Sequence, residues 1–181
     1  MKRTIAKWIH RAMGWKVIGT YPYDLPKKVI IVAPHTSSKD FWVGIWVKIW
    51  MQLDVVFYAK EELFNGLQGK LLRNLGARPV KRSKNNNLVA QAVADFAASP
   101  EHAVLLTPEG TRKKVDRFKT GFYQMALQAQ VPVVPIIFDY AVREVQILEP
   151  VPVSSEGVPP ISYFEDIYRG VQGKVPEDSF T

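Results

Sequence analysis

The chain reads KVIIVAPHTSSKD over residues 28–40. Val29–Ala33 is an uninterrupted apolar run, which is typical of a strand buried on both faces of a parallel sheet. Ser37 or Ser38 is placed to cap a helix that begins near Asp40. This stretch therefore predicts a strand, a short polar loop and a helix, which is the repeating unit of an α/β fold.

The rest of the chain continues the alternation. Further strands are predicted at 54–59, 78–81, 103–107, 131–140 and 142–148, and further helices at 60–75, 87–98 and 119–130. Pro132 and Pro135 favour an edge position or an irregular start for the strand at 131–140. The pattern predicts a single layered α/β domain with a mostly parallel central sheet flanked by helices. The 181 residues are enough for one such domain with a substantial core.

The two ends of the chain differ from this pattern. Residues 3–16 predict an amphipathic N-terminal helix, whose apolar face carries Ile5, Trp8, Ile9 and Met13. Either this helix packs on the domain or it anchors the protein at a membrane interface, and the sequence leaves both open. Residues 149–181 are rich in Pro, Gly and acidic residues, which predicts a surface tail packed on the domain, with a short helix near 163–169.

Charge and aromatic residues concentrate at the N-terminal end. The net charge is +7, and the first 50 residues carry nine Lys or Arg against two Asp. All five Trp also lie there, and Trp42, Trp46 and Trp50 form a stripe that faces either the core or a lipid or acyl chain. Trp among basic residues favours a membrane interface. No stretch reaches the ~20 apolar residues of a spanning helix, and residues 1–16 lack the features of a signal peptide.

Several classes of chemistry are excluded by composition. The chain contains no Cys, which excludes disulfides, thiolate catalysis and cysteine zinc sites. The three His residues are too scattered along the chain to predict a metal site.

His35 and Asp40 are the first candidates for a catalytic pair. A carboxylate beside a His can fix its tautomer and stabilise the imidazolium form. Five residues of helix turn through roughly 500°, so the two side chains meet only if His35 lies in the loop and Asp40 on the first helical turn. The same spacing also occurs where the His is structural and the Asp opposes the helix dipole. Taken alone, the spacing favours that structural interpretation over a catalytic pair.

Two further polar clusters follow predicted strands. Residues 108–112 read PEGTR, where a glycine turn precedes Arg112, whose guanidinium can bind phosphate in a bidentate manner. Residues 76–82 read GARPVKR and lie within 70–84, which holds six basic residues and no acid. Because ligands bind at the carboxyl ends of parallel strands, these clusters predict an anionic group held near a general base.

Together these motifs resemble the glycerophospholipid acyltransferase family, of the lysophosphatidic-acid (1-acylglycerol-3-phosphate) acyltransferase type, in a short bacterial-like form. His35 to Asp40 matches its H-x-x-x-x-D block, Gly76–Arg82 its second block, Pro108–Arg112 its third, and the VPVVPI of residues 131–136 its fourth. Thr107, Lys81 and Lys39 depart from residue types common in the family and leave the acceptor open.

The resemblance implies an O-acyltransferase that moves a fatty acyl group from acyl-CoA or acyl-carrier protein to the hydroxyl of a lysophospholipid. His35 would be the general base and Asp40 would orient it, and no cofactor or metal is expected. The residues implied in substrate binding are Arg82, Glu109, Gly110, Thr111 and Arg112. The implied organisation is a membrane-associating helix at 1–16, an acyltransferase domain at 17–148 and the tail at 149–181. The expected location is peripheral, at anionic lipids on the cytoplasmic side of the cell membrane.

The sequence is also compatible with two other functions. The first is a non-catalytic membrane- or lipid-binding module with the same fold, which the basic, Trp-rich N-terminal third also fits. The second is an acyltransferase for a lyso-aminolipid that lacks phosphate. Nucleic acid is not expected as a partner, because the Trp residues lie away from the basic stretch 70–84 and no nucleic-acid motif is present.

Overall fold

The computed structural model describes residues 2–80, 85–153 and 159–181. The helices are α1 (Lys2–Ala12), α2 (Lys39–Met51), α3 (Gly66–Asn74), α4 (Asn85–Ala98), α5 (Gly121–Ala129) and α6 (Ile161–Tyr168), with 3-10 turns at Glu61–Phe64 and Pro176–Asp178. The strands are β1 (Lys16–Ile18), β2 (Lys27–Ala33), β3 (Val56–Lys60), β4 (Ala77–Val80), β5 (His102–Leu106), β6 (Val133–Asp139) and β7 (Glu144–Ile147).

The strands of the described chain form one sheet in the order β1-β7-β6-β2-β5-β3-β4. Every neighbouring pair is parallel except β6 and β7, which are antiparallel. β2 lies between β6 and β5, and its Val29, Ile30 and Ile31 side chains are fully buried. An uninterrupted apolar strand suits this position, because helices cover both faces of the sheet. The predicted α/β domain with a mostly parallel sheet is confirmed.

Each face of the sheet has its own hydrophobic core. On one face, α4, α5 and α6 contribute Phe96, Phe122 and Phe164. On the other face, α2 contributes Val43 and Val47, and α1 packs against α2. Because residues of β2 belong to both cores, β2 is held in place, and this fixes where the loop after β2 begins.

The N-terminal helix ends earlier than its sequence pattern predicts. It stops at Ala12, and Gly14 follows with a φ of +77°, a left-handed conformation that terminates a helix. Lys16, the last residue of the predicted helix, instead begins β1, which pairs with β7 as an edge strand.

The two sides of α1 differ in exposure. Ala6 and His10 are buried in the domain, whereas Ile5 and Trp8 are 51% and 68% exposed. The predicted apolar face is therefore only partly used for packing, and two large apolar side chains on it remain at the surface.

Of the two positions that the sequence allows for the prolines, an edge strand or an irregular start, β6 shows the irregular start. β6 is an interior strand between β2 and β7. Its pairing shifts by one residue between Ile136↔Ile147 and the isolated bridge Val133↔Val151. Pro135 lies at this irregularity, the kind of position at which a sheet tolerates a residue without an N–H.

The C-terminal residues are more than a surface tail. Phe164, Tyr168 and Phe180 are buried in the core beside α4 and α5. The Tyr168 hydroxyl donates to the carbonyl oxygen of Ile31 in β2 at 3.0 Å. Large aromatic side chains determine the position of this segment, despite its content of Pro, Gly and acidic residues.

Candidate active site

His35 lies where β2 leaves the sheet, between two carboxylates. The chain passes through the cis Ala33–Pro34 peptide bond and then turns toward α2. The backbone N–H of His35 donates to Glu109 Oε2 at 2.8 Å. Its ring Nδ1 lies 3.0 Å from Asp40 Oδ2, and the His35 side chain is 22% exposed. With Nδ1–H donating to a carboxylate, Nε2 carries the lone pair that can accept a proton.

Asp40 is buried in the first turn of α2, where the positive end of the helix dipole stabilises its charge. Its Oδ2 accepts hydrogen bonds from His35 Nδ1 and from the backbone N–H of Ser37, the latter at 2.9 Å. Its Oδ1 accepts a hydrogen bond from the Tyr140 hydroxyl at 2.6 Å. The loop-to-first-turn arrangement expected for the pair is therefore observed. Ser38 occupies the N-cap position without a side-chain capping hydrogen bond.

Glu109 is almost fully buried on the other side of His35. It follows β5, which is paired in parallel with β2, so both loops leave the same edge of the sheet. Burial raises the pKa of the Glu109 carboxyl to about 7, and the negative charge of Asp40 adds to the increase. The hydrogen bond from the His35 N–H acts in the opposite direction on this pKa.

The rest of the PEGTR motif continues from Glu109 toward the surface. Gly110 has a φ of +64°, and its N–H donates to the carbonyl oxygen of Thr107 at 3.1 Å, which forms a tight turn. Thr111 is half-buried, with its Oγ1 accepting from the Lys113 N–H, and Arg112 is exposed. Arg82, the remaining predicted binding residue, lies outside the described residues.

Of the residues that the sequence singles out, His35, Asp40 and Glu109 are therefore in direct contact. Gly110, Thr111 and Arg112 form the loop that follows. Their roles in catalysis and binding stay predictions. In the described ranges, no group of three or more His, Asp or Glu side chains is placed to hold a metal ion.

Comparison with known proteins gives the family. A family model described as "Acyltransferase" matches residues 16–139, which contain His35, Asp40 and the PEGTR loop. The chain belongs to this acyltransferase family. The family resemblance seen in the four sequence blocks is thus confirmed.

The individual relatives that match this chain are distant from it in sequence. The chain is 28% identical over 116 residues to a 1-acyl-sn-glycerol-3-phosphate acyltransferase of Cocos nucifera, covering 61% of this chain and 37% of the relative. It is 30% identical over 132 residues to a probable 1-acyl-sn-glycerol-3-phosphate acyltransferase of Mycoplasma pneumoniae, covering 68% and 49% respectively. The chain thus spans about half or less of the length of these two curated relatives.

A solved structure shares the fold. The crystal structure of the 1-acyl-sn-glycerophosphate acyltransferase PlsC from Thermotoga maritima superposes with a TM-score of 0.63 at 21% sequence identity. The match covers 91% of this chain and 74% of that one. At this identity the likeness supports the fold alone.

Tyr140, whose hydroxyl donates to Asp40, is a candidate site residue that the sequence pattern does not single out. It lies one residue beyond β6 and one residue beyond the part matched by the family model. β6 is the parallel neighbour of β2, so their carboxyl ends meet at one edge of the sheet. A polar residue at the end of a strand adjacent to the His-bearing strand is the signal that points to it.

The family resemblance implies an apolar groove for an acyl chain, which either residues 131–136 or the Trp stripe would line. Val133 and Val134 of the segment 131–136 are fully buried inside the sheet, so this segment does not line an open groove. Trp42 is 52% exposed, while Trp46 and Trp50 are half-buried, with Trp50 packed on His10. The Trp stripe is therefore neither wholly core nor wholly surface, and Trp42 is its open member.

Proposed function

We propose that this protein transfers a fatty acyl group from a thioester donor, acyl-CoA or acyl-carrier protein, to the hydroxyl of a lysophospholipid such as 1-acylglycerol-3-phosphate. The observation that carries the proposal is the contact of 3.0 Å between His35 Nδ1 and Asp40 Oδ2, with the imidazole partly open to solvent. The names of the curated relatives support this choice of acceptor.

The proposed chemistry uses His35 first as a base and then as an acid. Nε2 takes the proton of the acceptor hydroxyl as the oxygen attacks the thioester carbonyl carbon. The tetrahedral intermediate then collapses, the C–S bond breaks, and the imidazolium returns its proton to the departing thiolate. Asp40 holds the ring and stabilises its cationic form, as the carboxylate does in catalytic triads. The products are the ester and a free thiol, so no acyl-enzyme is needed.

Basic groups near the pair are suited to bind the phosphate of the acceptor. Arg112 is exposed and lies three residues after Glu109, whose carboxylate contacts the backbone of His35. A guanidinium binds phosphate through two parallel hydrogen bonds. Arg82, from the basic block after β4, is proposed to share this role on sequence grounds, with Gly110 and Thr111 contributing backbone and hydroxyl groups.

A peripheral position on the cytoplasmic face of the membrane is part of the proposal. Ile5 and Trp8 project from α1 at 51% and 68% exposure, beside the exposed Lys7 and Arg11. Such a face can insert its apolar side chains at the depth of the headgroups while its cations meet anionic lipids. Among the described residues, no helix has the length and apolarity to cross a bilayer.

Vesicle sedimentation tests the proposed position. Trp8→Ser is expected to weaken binding to vesicles that contain anionic lipid, whereas Val142→Ser removes a side chain of 54% exposure outside α1 and serves as the matched control. Equal loss of binding in the two variants would contradict a specific role for α1.

An acyl-transfer assay on the purified protein tests the proposed activity. Acyl-CoA and acyl-carrier protein are offered in turn with 1-acylglycerol-3-phosphate and with a lyso-aminolipid that lacks phosphate. Transfer to the phosphate-bearing acceptor that falls in Arg112→Ala supports the proposal. Transfer only to the acceptor without phosphate would change the substrate class, and vesicle binding without any transfer would favour a non-catalytic module.

A further inference from the structure

Asp40 has a second partner besides His35, from a distant part of the chain. Its Oδ1 accepts a hydrogen bond of 2.6 Å from the hydroxyl of Tyr140, which is 100 residues away in sequence. The same carboxylate bonds His35 through Oδ2. Tyr140, Asp40 and His35 thus form a continuous chain of hydrogen bonds that ends at the ring nitrogen Nε2 proposed to act as the base.

Tyr140 is held in place from several sides. Its backbone N–H donates to the carbonyl oxygen of Gln172 at 2.9 Å. The Trp15 ring contacts it edge-on, with centroids 4.8 Å apart and planes at 89°, and Lys174 Nζ lies 5.8 Å from its centroid. Because the backbone and the ring are both restrained, the hydroxyl is a fixed donor rather than a mobile surface group.

The segment that restrains Tyr140 also contacts the His35 loop. The backbone N–H of Val175 donates to Thr36 Oγ1 at 3.0 Å. A Cβ added at Gly173 would come within 2.7 Å of the Thr36 side chain, so this residue packs tightly on the loop. The C-terminal residues thus hold both ends of the hydrogen-bonded chain, although they lie outside the region matched by the family model.

We propose that Tyr140 is a positioning residue for the His35–Asp40 pair. Its hydroxyl fixes the rotation of the Asp40 carboxylate, so that Oδ2 faces Nδ1, and draws part of the negative charge toward Oδ1. With less charge facing the ring, Asp40 stabilises the imidazolium form less than an unbonded carboxylate would. The catalytic consequence rests on the proposed function, whereas the effect on the ring does not.

The phenol is suited to this role because it stays protonated. Burial raises the pKa of Tyr140 above its ordinary value, and the hydrogen bond to Asp40 raises it further. Glu109 from the loop after β5 and Lys174 from the C-terminal segment are the other charged or titratable groups that contact the chain of hydrogen bonds in the described structure. Both are left unchanged in the variants below, so their charges are common to all of the proteins compared.

Tyr140→Phe tests the inference, because it removes the hydroxyl and keeps the ring. The titration of the His35 ring is followed by NMR in the protein without substrate, with the other two His signals assigned through His10→Gln and His102→Gln. We expect the midpoint to move to higher pH by about 0.5 unit or more, and the acid limb of the acyl-transfer profile to move with it. The value of kcat is expected to fall about threefold to tenfold with little change in KM.

Matched variants separate positioning from a structural effect. Tyr58→Phe removes a hydroxyl that lies 3.5 Å from another carboxylate, Asp95, and should leave the His35 midpoint unchanged. When Asp40→Asn is already present, Tyr140→Phe should cause no further loss of kcat, because Tyr140 acts on His35 only through the Asp40 carboxylate. If Tyr140→Phe does not fold, replacement of Tyr140 by 3-fluorotyrosine, a stronger donor, should move the midpoint to lower pH.

An unchanged His35 midpoint in Tyr140→Phe, or in the fluorinated protein if that is the one that folds, would overturn the inference. Full additivity of the two losses in the double variant would do the same. Because the NMR titration needs no turnover, a shifted midpoint in a protein without acyl transfer keeps the positioning role and removes the proposed function. Acyl transfer together with an unchanged His35 midpoint in Tyr140→Phe keeps the proposed function and removes the positioning role of Tyr140.

Discussion

Glu109→Gln tests the electrostatics of the site through stability. In the folded protein, burial raises the pKa of Glu109 to about 7 from an ordinary value of 4.5. Between these values the folded state binds more protons than the unfolded state, so the contribution of Glu109 is fully present below pH 4.5 and is lost as the pH rises through 7. A shift of this size corresponds to about 3 kcal/mol of unfolding free energy. Gln removes the titration and keeps an oxygen that can accept the His35 N–H.

The assay is urea unfolding of wild type and Glu109→Gln at several pH values between 5 and 8. Relative to wild type, the variant should gain about 2.5 kcal/mol as the pH rises across this range, with most of the change below pH 7. Glu177→Gln, an exposed change of the same charge, controls for the loss of one negative charge and should differ from wild type by less than about 0.5 kcal/mol. A difference between Glu109→Gln and wild type that does not vary with pH would show that the Glu109 carboxyl does not have a raised pKa.

Three further substitutions test the packing around the site and the core. Gly110→Ala, at a φ of +64°, should cost about 1–2 kcal/mol of unfolding free energy, and an unchanged urea midpoint would contradict the turn described for this loop. Gly173→Ala places a Cβ within 2.7 Å of Thr36 and should lower kcat, whereas Gly121→Ala, with no atom within 4 Å of the added Cβ, should not; equal rates in the two would disprove the contact. Phe164→Ala should lower the free energy of unfolding by about 3–5 kcal/mol, because the side chain is buried in the core. A loss below 1 kcal/mol would instead indicate that the C-terminal residues form a surface tail.

Much of the fold is predictable from local pattern. Two apolar runs, Val29–Ala33 and residues 103–106, lie in the adjacent central strands β2 and β5, because only a sheet covered on both faces can bury them. The helix predicted over residues 60–75 is less regular. Asn65 adopts an extended conformation that separates the 3-10 turn Glu61–Phe64 from α3, a break that the apolar periodicity does not register.

Other features depend on partners that are distant in sequence. β1 has three residues and no alternation of its own, and it exists as a strand because β7 pairs with it. Pro135 marks an irregularity in the pairing of β6, and its position inside the sheet follows from the neighbours on either side. Phe180, near the end of the chain, is buried by a core that forms from residues far upstream.

The residues of the candidate site also differ in how far local sequence predicts their contacts. His35 and Asp40 are five residues apart, so a strand–loop–helix pattern is enough to predict that they meet. Glu109 is predictable as a neighbour because it follows another strand of the same parallel sheet. The bond from Tyr140 to Asp40 depends on strand order and on the C-terminal segment, which local sequence does not encode.

The most direct test of the central claim compares kcat/KM for acyl transfer to 1-acylglycerol-3-phosphate in wild type and His35→Ala. Both proteins must first give the same circular dichroism spectrum and bind anionic vesicles equally. Since a general base contributes about 10²–10⁴-fold, we expect a loss in this range for His35→Ala. Equal rates in the two folded proteins would contradict it.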